Sequence, residues 1–546
     1  MTKIPDTYDF IIVGAGSAGC VLANRLSACG RYSVLLLEAG GSDARFWIRT
    51  PLGYARTFND QRVNWRYTTA NDPGLNGRQA YWPRGRVLGG SSSINAMAWV
   101  RGLPHDYDRW VEHGANGWDR DTVHDAFEEL EYQESPDDQP QPIDAQGRVL
   151  LTDLGERRHP FTQHFSEAAQ QMGWRTDHPI DGVTTLRYNT TQGRRWSSAD
   201  AFLRPAMKRN NLRVLMQAQV TGVDTTDGLA TGITVMHKGQ QHVVNARQEV
   251  ILSAGAINTP HLLQLSGIGP AEHLQARGIR VNHDLPHVGK NLQDHLAVSH
   301  YFHAREPTLN TVLGKWPGKL LAGMQYILTK RGPLSLSVNQ INGFVRSDPE
   351  VDVPDLQMYC NPLSYRTDAH GRTEIDPKAG FLLSAQPCRP SSRGEITLNS
   401  TDPMAAPRIQ ANSLSTTYDT DMAIKAGRLL NVLAQTPAMR AVILDRVAPD
   451  TLKMSDAELL ADFRERASTV FHPTSTCRMG RNTNNSVLDN RLRVHGIGAL
   501  RIVDASAFPC ITSGNTNAPV MMLACRAARM ILEDARKRRV TIESST

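Results

Sequence analysis

Asp9-Phe10-Ile11-Ile12-Val13-Gly14-Ala15-Gly16-Ser17-Ala18-Gly19 opens a stretch that closes at Ser33-Val34-Leu35-Leu36-Leu37-Glu38. It reads as strand, glycine turn, helix and strand, with an acid at the tip of the second strand. Each part answers a demand of dinucleotide binding. Gly14 permits the tight turn, Gly16 lets the backbone approach a pyrophosphate, and Gly19 lets the helix pack close on the strand. Ser17 and Ala18 open the helix, whose free N–H groups and positive dipole end face the phosphates. Glu38 can accept hydrogen bonds from both hydroxyls of an adenosine ribose, and a carboxylate there disfavours a 2′-phosphate. An ordinary glycine turn would need neither the flanking strands nor the spaced acid.

The bulk properties set the frame. A chain of 546 residues is too long for one compact core, so two domains are expected. Its 40% hydrophobic and 21% charged residues are those of a globular protein rather than a disordered one. No apolar run approaches the ~20 residues that span a bilayer. Met1 to Tyr8 is polar and leads straight into the first strand, which argues against a signal peptide. The seven scattered cysteines form no CxxC or Cys/His pattern, so no metal site is expected and the thiols read as reduced, in a cytoplasm. The net charge of +6 is small for this length, and nothing suggests nucleic-acid binding. The one dense basic run, Arg536-Lys537-Arg538-Arg539, reads as a solvated helix end, with peripheral attachment to the inner face of an anionic membrane as the alternative.

Along the chain, Glu134 to Arg148 reads as a surface loop and Leu212 to Val223 as a strand followed by a turn. Thr231 to Met236 and His242 to Ala246, joined across Lys238 to Gln241, form a predicted hairpin. Glu249 to Ser253 is apolar enough for a separate buried strand. It feeds a helix from Gly255 to Gly267 with Pro260 in its first turn. Residues 300 to about 465 lack βα alternation and are the candidate substrate domain. Leu500 to Asp504 returns to the short-strand-plus-acid pattern, and a final helix runs from about Pro519 past Leu532. The nucleotide domain is therefore expected to be discontinuous, over 1–155, 200–300 and 468–546, with 156–199 and 301–467 forming the substrate domain.

Several segments carry a family resemblance. Gly85-Arg86-Val87-Leu88-Gly89-Gly90-Ser91-Ser92-Ser93-Ile94-Asn95, running on to Trp99 and Gly102, resembles the first signature of the glucose-methanol-choline oxidoreductases. Gly255 through Gly269 resembles the second. Gly289 to His295, Phe471-His472-Pro473 with Cys477-Arg478-Met479-Gly480, and Gly514 to Pro519 follow in the family's order. The resemblance implies FAD rather than NAD. It also implies a Rossmann-like α/β flavin domain of the glutathione-reductase type, with an inserted substrate domain built on an antiparallel sheet. Carried over position by position, it puts Arg86, Gly89, Gly90, Ser91, Asn95, Ala96, Val220, Asp504, Ala505, Asn515 and Thr516 against the cofactor, beside Gly14, Gly16, Ser17, Ala18, Gly19 and Glu38. Where some relatives carry a histidine joined to the flavin this chain has Ile94, so the FAD should be non-covalent.

The resemblance places His472 at the flavin face, and its chemistry suits the task. Alcohol oxidation removes an O–H proton as a hydride leaves carbon, and an imidazole of pKa near ~6.5 can take that proton. Asn515 is expected to orient the substrate oxygen. His261, His283, His287 and His295 read as structural. Phe471 and Gln340 are assigned to the substrate pocket. Gln340 stands where choline-oxidising relatives carry a glutamate, which points to an uncharged primary alcohol, aliphatic or aryl, oxidised to its aldehyde. Choline oxidation to betaine aldehyde is the alternative, and a non-redox hydroxynitrile lyase is the alternative of another class. The electron acceptor is left as a quinone, a redox carrier or oxygen, with a dehydrogenase favoured over an oxidase. The sequence leaves the oligomeric state open.

Overall fold

A computed structural model describes residues 5–133, 147–367, 373–447 and 449–545. The loop expected at Glu134 to Arg148 lies almost wholly outside these residues. The first strand, Thr7–Val13, is buried on both faces, with Phe10, Ile11 and Ile12 fully inaccessible. That is why its apolar run does not alternate: a parallel strand covered by helices on both sides needs none.

It lies at the centre of a seven-stranded sheet, paired in parallel with Val34–Glu38 on one side and Gln240–Leu252 on the other. Leu212–Met216 extends the parallel part beyond Val34–Glu38. Leu229–His237 and Ala218–Thr226 continue the sheet as antiparallel strands. Leu212 to Val223, expected as a strand followed by a turn, instead spans the strand Leu212–Met216 and the start of the strand Ala218–Thr226. The separate strand expected at Glu249 is the far half of the hairpin strand itself. Along one edge of Gln240–Leu252, residues 240–245 pair antiparallel with Leu229–His237, and Val250–Leu252 pair in parallel with Leu500–Ile502. The C-terminal strand thereby joins the sheet that the N-terminus begins. The helix Ser17–Ser27 packs on this sheet beside the C-terminal helix Asn517–Ser545. A Cβ on Gly19 would lie 1.9 Å from the Gly14 carbonyl oxygen, so only glycine allows this approach. Pro260 sits in the second turn of Gly255–Leu265 rather than the first.

A second sheet, antiparallel throughout, runs in the order Ile443–Arg446, Leu296–Ala304, Gly380–Pro387, Leu356–Asn361, Ile341–Val345 and Gly182–Thr185. Ser468–Thr469 pairs with the first two residues of Leu296–Ala304. Period-two alternation gives it unlike faces. Val298, Phe302, Leu356, Met358, Cys360, Phe381, Leu383 and Ala385 pack with Ala423, Ala426 and Leu430 of the helix Thr417–Gln435. Ser299, Tyr301, Asn342, Gln357, Tyr359, Asn361 and Gln386 point the other way, toward the first domain. No helix among the described residues is long and apolar enough to cross a membrane. All seven cysteines are free.

Candidate active site

Between the two sheets lies a cavity of about 1330 Å³. At one end the two glycine loops meet back to back. A Cβ on Gly90 would come within 2.6 Å of the Gly16 Cα, so bare backbone is a condition of the contact. Gly14, Gly16, Ser17, Ala18, Glu38, Arg86, Gly90, Ser91, Asn95, Ala96, Val220, Asp504, Ala505, Asn515 and Thr516 all line this cavity. Gly19 and Gly89 do not. Gly19 serves the packing described above, and Gly89 turns the chain at φ +84° with its N–H donated to the Ala15 carbonyl.

Glu38 is buried, its two oxygens accepting from the Ala15 N–H at 3.0 Å and the Gly40 N–H at 2.8 Å. Each oxygen keeps a lone pair for the cavity. Burial lifts its pKa to about 7, against the pull of those two N–H groups and Arg86. Asp504 is also buried, but its carboxylate is spent on protein donors: Gly255 N–H, the Thr259 hydroxyl, and both the N–H and hydroxyl of Ser506. Its visible work is to tie the start of the Gly255 helix to the C-terminal strand. Ser253 Oγ and Asn517 Nδ2 line the cavity, buried and without a partner. Orphaned groups of this kind call for a polar ligand. Two helix N-termini converge nearby, with Ser17 Oγ donating to Asn517 Oδ1 at 2.7 Å. A long polar-ended cavity, bare glycine backbone, the buried carboxylate of Glu38 and orphaned donors fit FAD.

At the cavity's other end sits His472, only 8% exposed. The loop that carries it is over-determined. Phe471 takes φ +69°, a strained value for a bulky side chain. Arg84 donates to its carbonyl at 2.6 Å, and Asp294 accepts the His472 N–H at 2.7 Å and bonds the Thr469 hydroxyl. The ring itself lies in a chain of hydrogen bonds whose directions can be worked out. His295 Nε2 lies 2.8 Å from the Cys388 carbonyl, which can only accept, so that nitrogen bears the proton. Neutral His295 then has a bare Nδ1, and His472 Nδ1, 3.0 Å away, must donate to it. His472 is left with a bare Nε2, which accepts from Asn515 Nδ2 at 3.1 Å. Burial, then His295 and Arg84, hold the His472 pKa well below the usual histidine value, and burial lowers His295 to about 4. Both rings are therefore neutral at pH 7, with one basic nitrogen facing the cavity.

This corrects two expectations. His295 is not merely structural, since it fixes the tautomer of His472. His295 closes the Gly289 to His295 segment of the family resemblance, but that motif does not show its contact with a ring 177 residues away in sequence. Gln340 does not line the cavity. It is fully buried, its Oε1 accepting from the His159 N–H at 2.6 Å and its Nε2 donating to the Ser337 carbonyl at 3.1 Å. Its amide is consumed in closing the end of the sheet, where Leu186 donates to its carbonyl. The wall is built instead by Asn342, Gln357, Tyr359, Asn361 and Gln386, and Phe471 also lines the cavity. Asn361 Oδ1 and Gln386 Nε2 are buried there without partners. Among the described residues no group of His, Cys, Asp and Glu could hold a metal ion.

Comparison with known proteins gives a consistent result. Residues 8–297 and 390–524 match the N-terminal and C-terminal profiles of the family described as GMC oxidoreductase. An alcohol dehydrogenase [acceptor] from Pseudomonas putida is 40% identical over 533 residues, covering 96% of both chains. An oxygen-dependent choline dehydrogenase from Photobacterium profundum is 40% identical over 534 residues, covering 96% of this chain and 93% of that one. Among solved structures, pyridoxine 4-oxidase from Mesorbium loti superposes with a TM-score of 0.83 at 28% identity, covering 95% of this chain and 98% of that one. A formate oxidase reaches a TM-score of 0.89 at 26% identity, covering 98% and 100%. With the glycine cradle, the helix N-termini and the histidine face in one cavity, the chain belongs to the GMC oxidoreductase family, as an FAD-dependent oxidoreductase of alcohol-type donors.

Proposed function

We propose that this protein oxidises an uncharged primary alcohol to the aldehyde, with His472 as general base and FAD held non-covalently. FAD, when bound, supplies the hydride acceptor. The observation that carries the reading is the chain Cys388–His295–His472–Asn515, which leaves His472 Nε2 unprotonated, with its lone pair accepting from the Asn515 amide that a substrate hydroxyl would displace. A substrate hydroxyl entering between His472 and Asn515 donates to Nε2 and accepts from the Asn515 amide. The oxygen is thereby oriented, and its proton passes to Nε2 as the carbinol hydrogen leaves. Glu38, Gly14 and Gly16 would hold the adenosine and pyrophosphate end of the cofactor, and the positive end of the helix beginning at Asn517 would favour negative charge on it.

The substrate class follows from the sheet wall rather than from Gln340. Asn342, Gln357, Asn361 and Gln386 are neutral amides, and Tyr359 is a phenol. A quaternary ammonium buried against them would lose its hydration without a countercharge from this wall, the carboxylates of Asp376 and Glu465 lying elsewhere on the cavity lining. Choline is the second reading, favoured by the similarity to a choline dehydrogenase and by the aromatic rings of Tyr54, Tyr359 and Tyr365 in the cavity. The similarity to the P. putida enzyme supports a dehydrogenase that passes electrons to a separate acceptor. Anaerobic mixing of the oxidised holoprotein with an alcohol panel tests the proposal. Hexanol or benzyl alcohol is expected to bleach the flavin with a higher kcat/KM than choline. Choline at the top of the panel would overturn the substrate class, and bleaching by none would overturn the reaction.

Ile94 lines the cavity within a cluster of Ile48, Val63 and Val87, and carries no atom able to bond to a flavin. Acid precipitation should therefore release all the FAD into the supernatant. Yellow colour retained in the denatured pellet would contradict non-covalent binding.

A further inference from the structure

We propose that the outward face of the helix Trp316–Thr329 docks on an anionic lipid bilayer. The helix turns its apolar residues outward: Trp316 is 73%, Leu321 61%, Ile327 58% and Leu328 81% exposed, with Leu320 and Met324 nearly half exposed beside them. Only Ala322 and Tyr326 of its residues are buried. Single exposed leucines need no explanation, but six large apolar side chains on one helix do. Two more exposed aromatic rings, Phe46 and Trp47, lie at the flank of the helix, where Phe46 meets the buried ring of Tyr326 at 6.2 Å between centroids.

Charge selects the occupant. Lys315 and Lys319 at the start of the helix and Arg331 just beyond its end are exposed, and no acidic residue occurs between Glu306 and Asp348. A second copy of this chain would set these cations against each other, whereas anionic headgroups complement them. Fourteen residues make a helix of about 21 Å, too short for a hydrocarbon core of ~30 Å, so it lies in the interface rather than crossing it. The basic run near the C-terminus is a different feature, with Arg538 donating to Glu249 and to the Gln248 carbonyl. The inner side of the helix gives the docking a consequence. Ala322 packs in one cluster with Val338 and Leu363, which line the cavity. Docking therefore seats the cavity wall against the bilayer, where apolar alcohols concentrate.

The test is flotation of the holoprotein with vesicles of phosphatidylcholine alone or mixed with phosphatidylglycerol. The wild type should float with the mixed vesicles and at least about tenfold less with the neutral ones. Leu321→Glu/Leu328→Glu and Lys315→Glu/Lys319→Glu should each lower binding to mixed vesicles by at least about tenfold, with the flavin spectrum unchanged. Absence of wild-type binding, or equal binding by the variants, would overturn the proposal. So would a dimer, seen by light scattering and lost in the leucine variant, that binds no vesicles.

Discussion

Replacing His472 with alanine is expected to slow flavin reduction by an alcohol about 10²–10⁴-fold, the usual worth of a general base, while leaving the bound-flavin spectrum intact. The site predicts the pH profile as well. The base acts unprotonated, and burial, His295 and Arg84 depress its pKa. The wild-type rate should therefore be level across neutral pH and fall only as pH drops below the ordinary imidazole range near ~6.5. Stopped-flow reduction over a pH series measures both effects. A fully active alanine variant, or a wild-type rate still climbing above neutral pH, would remove His472 from the role.

The second large effect concerns the fold that carries the site. Arg501→Met should destabilise the protein by about 1.5–3 kcal/mol, because it takes charge-assisted hydrogen bonds from buried Glu249 and from Asp534 and leaves them only the more exposed Arg538 and Arg491. Arg501 is 1% exposed and bridges the sheet to the C-terminal helix. It donates to Glu249 at 2.6 and 3.1 Å, to Asp534 at 2.5 Å and to the Arg491 carbonyl at 2.7 Å. Burial alone would make this guanidinium easier to deprotonate, and Glu249 with Asp534 more than reverses that, raising its pKa. Removing both charges, as in Arg501→Met/Glu249→Leu, should recover much of the loss, since a buried pair is worth far less than the cost of breaking it. Urea unfolding followed by circular dichroism reads the two midpoints. Equal midpoints for wild type and Arg501→Met would show that the pair does not hold the C-terminal strand.

What was legible in the sequence was what backbone geometry demands locally. Gly14, Gly16, Gly19 and Gly90 stand where a Cβ would meet another backbone or block a phosphate, so their spacing carries the fold. Glu38 follows because strand length fixes where its carboxylate emerges. The illegible parts depend on register and long-range contact. His295 is one of 18 histidines until folding brings its ring to His472. Gln340 and Asn342 share a sequence neighbourhood, yet Asn342 lies in the strand facing the cavity while Gln340 precedes it and is captured by His159 and Ser337. The single strand Gln240–Leu252 reads as two in the sequence, because one edge changes partner from an antiparallel to a parallel neighbour without any break in the chain.

The central claim is that an alcohol gives up a hydride to the flavin at the His472 face. Anaerobic stopped-flow mixing of the oxidised holoprotein with benzyl alcohol, unlabelled and deuterated at the carbinol carbon, tests it most directly. The account predicts full loss of the oxidised-flavin absorbance, stoichiometric benzaldehyde, and a slower reduction with the deuterated alcohol. Product formation with the flavin still oxidised, or no bleaching by any alcohol of the panel, would contradict it.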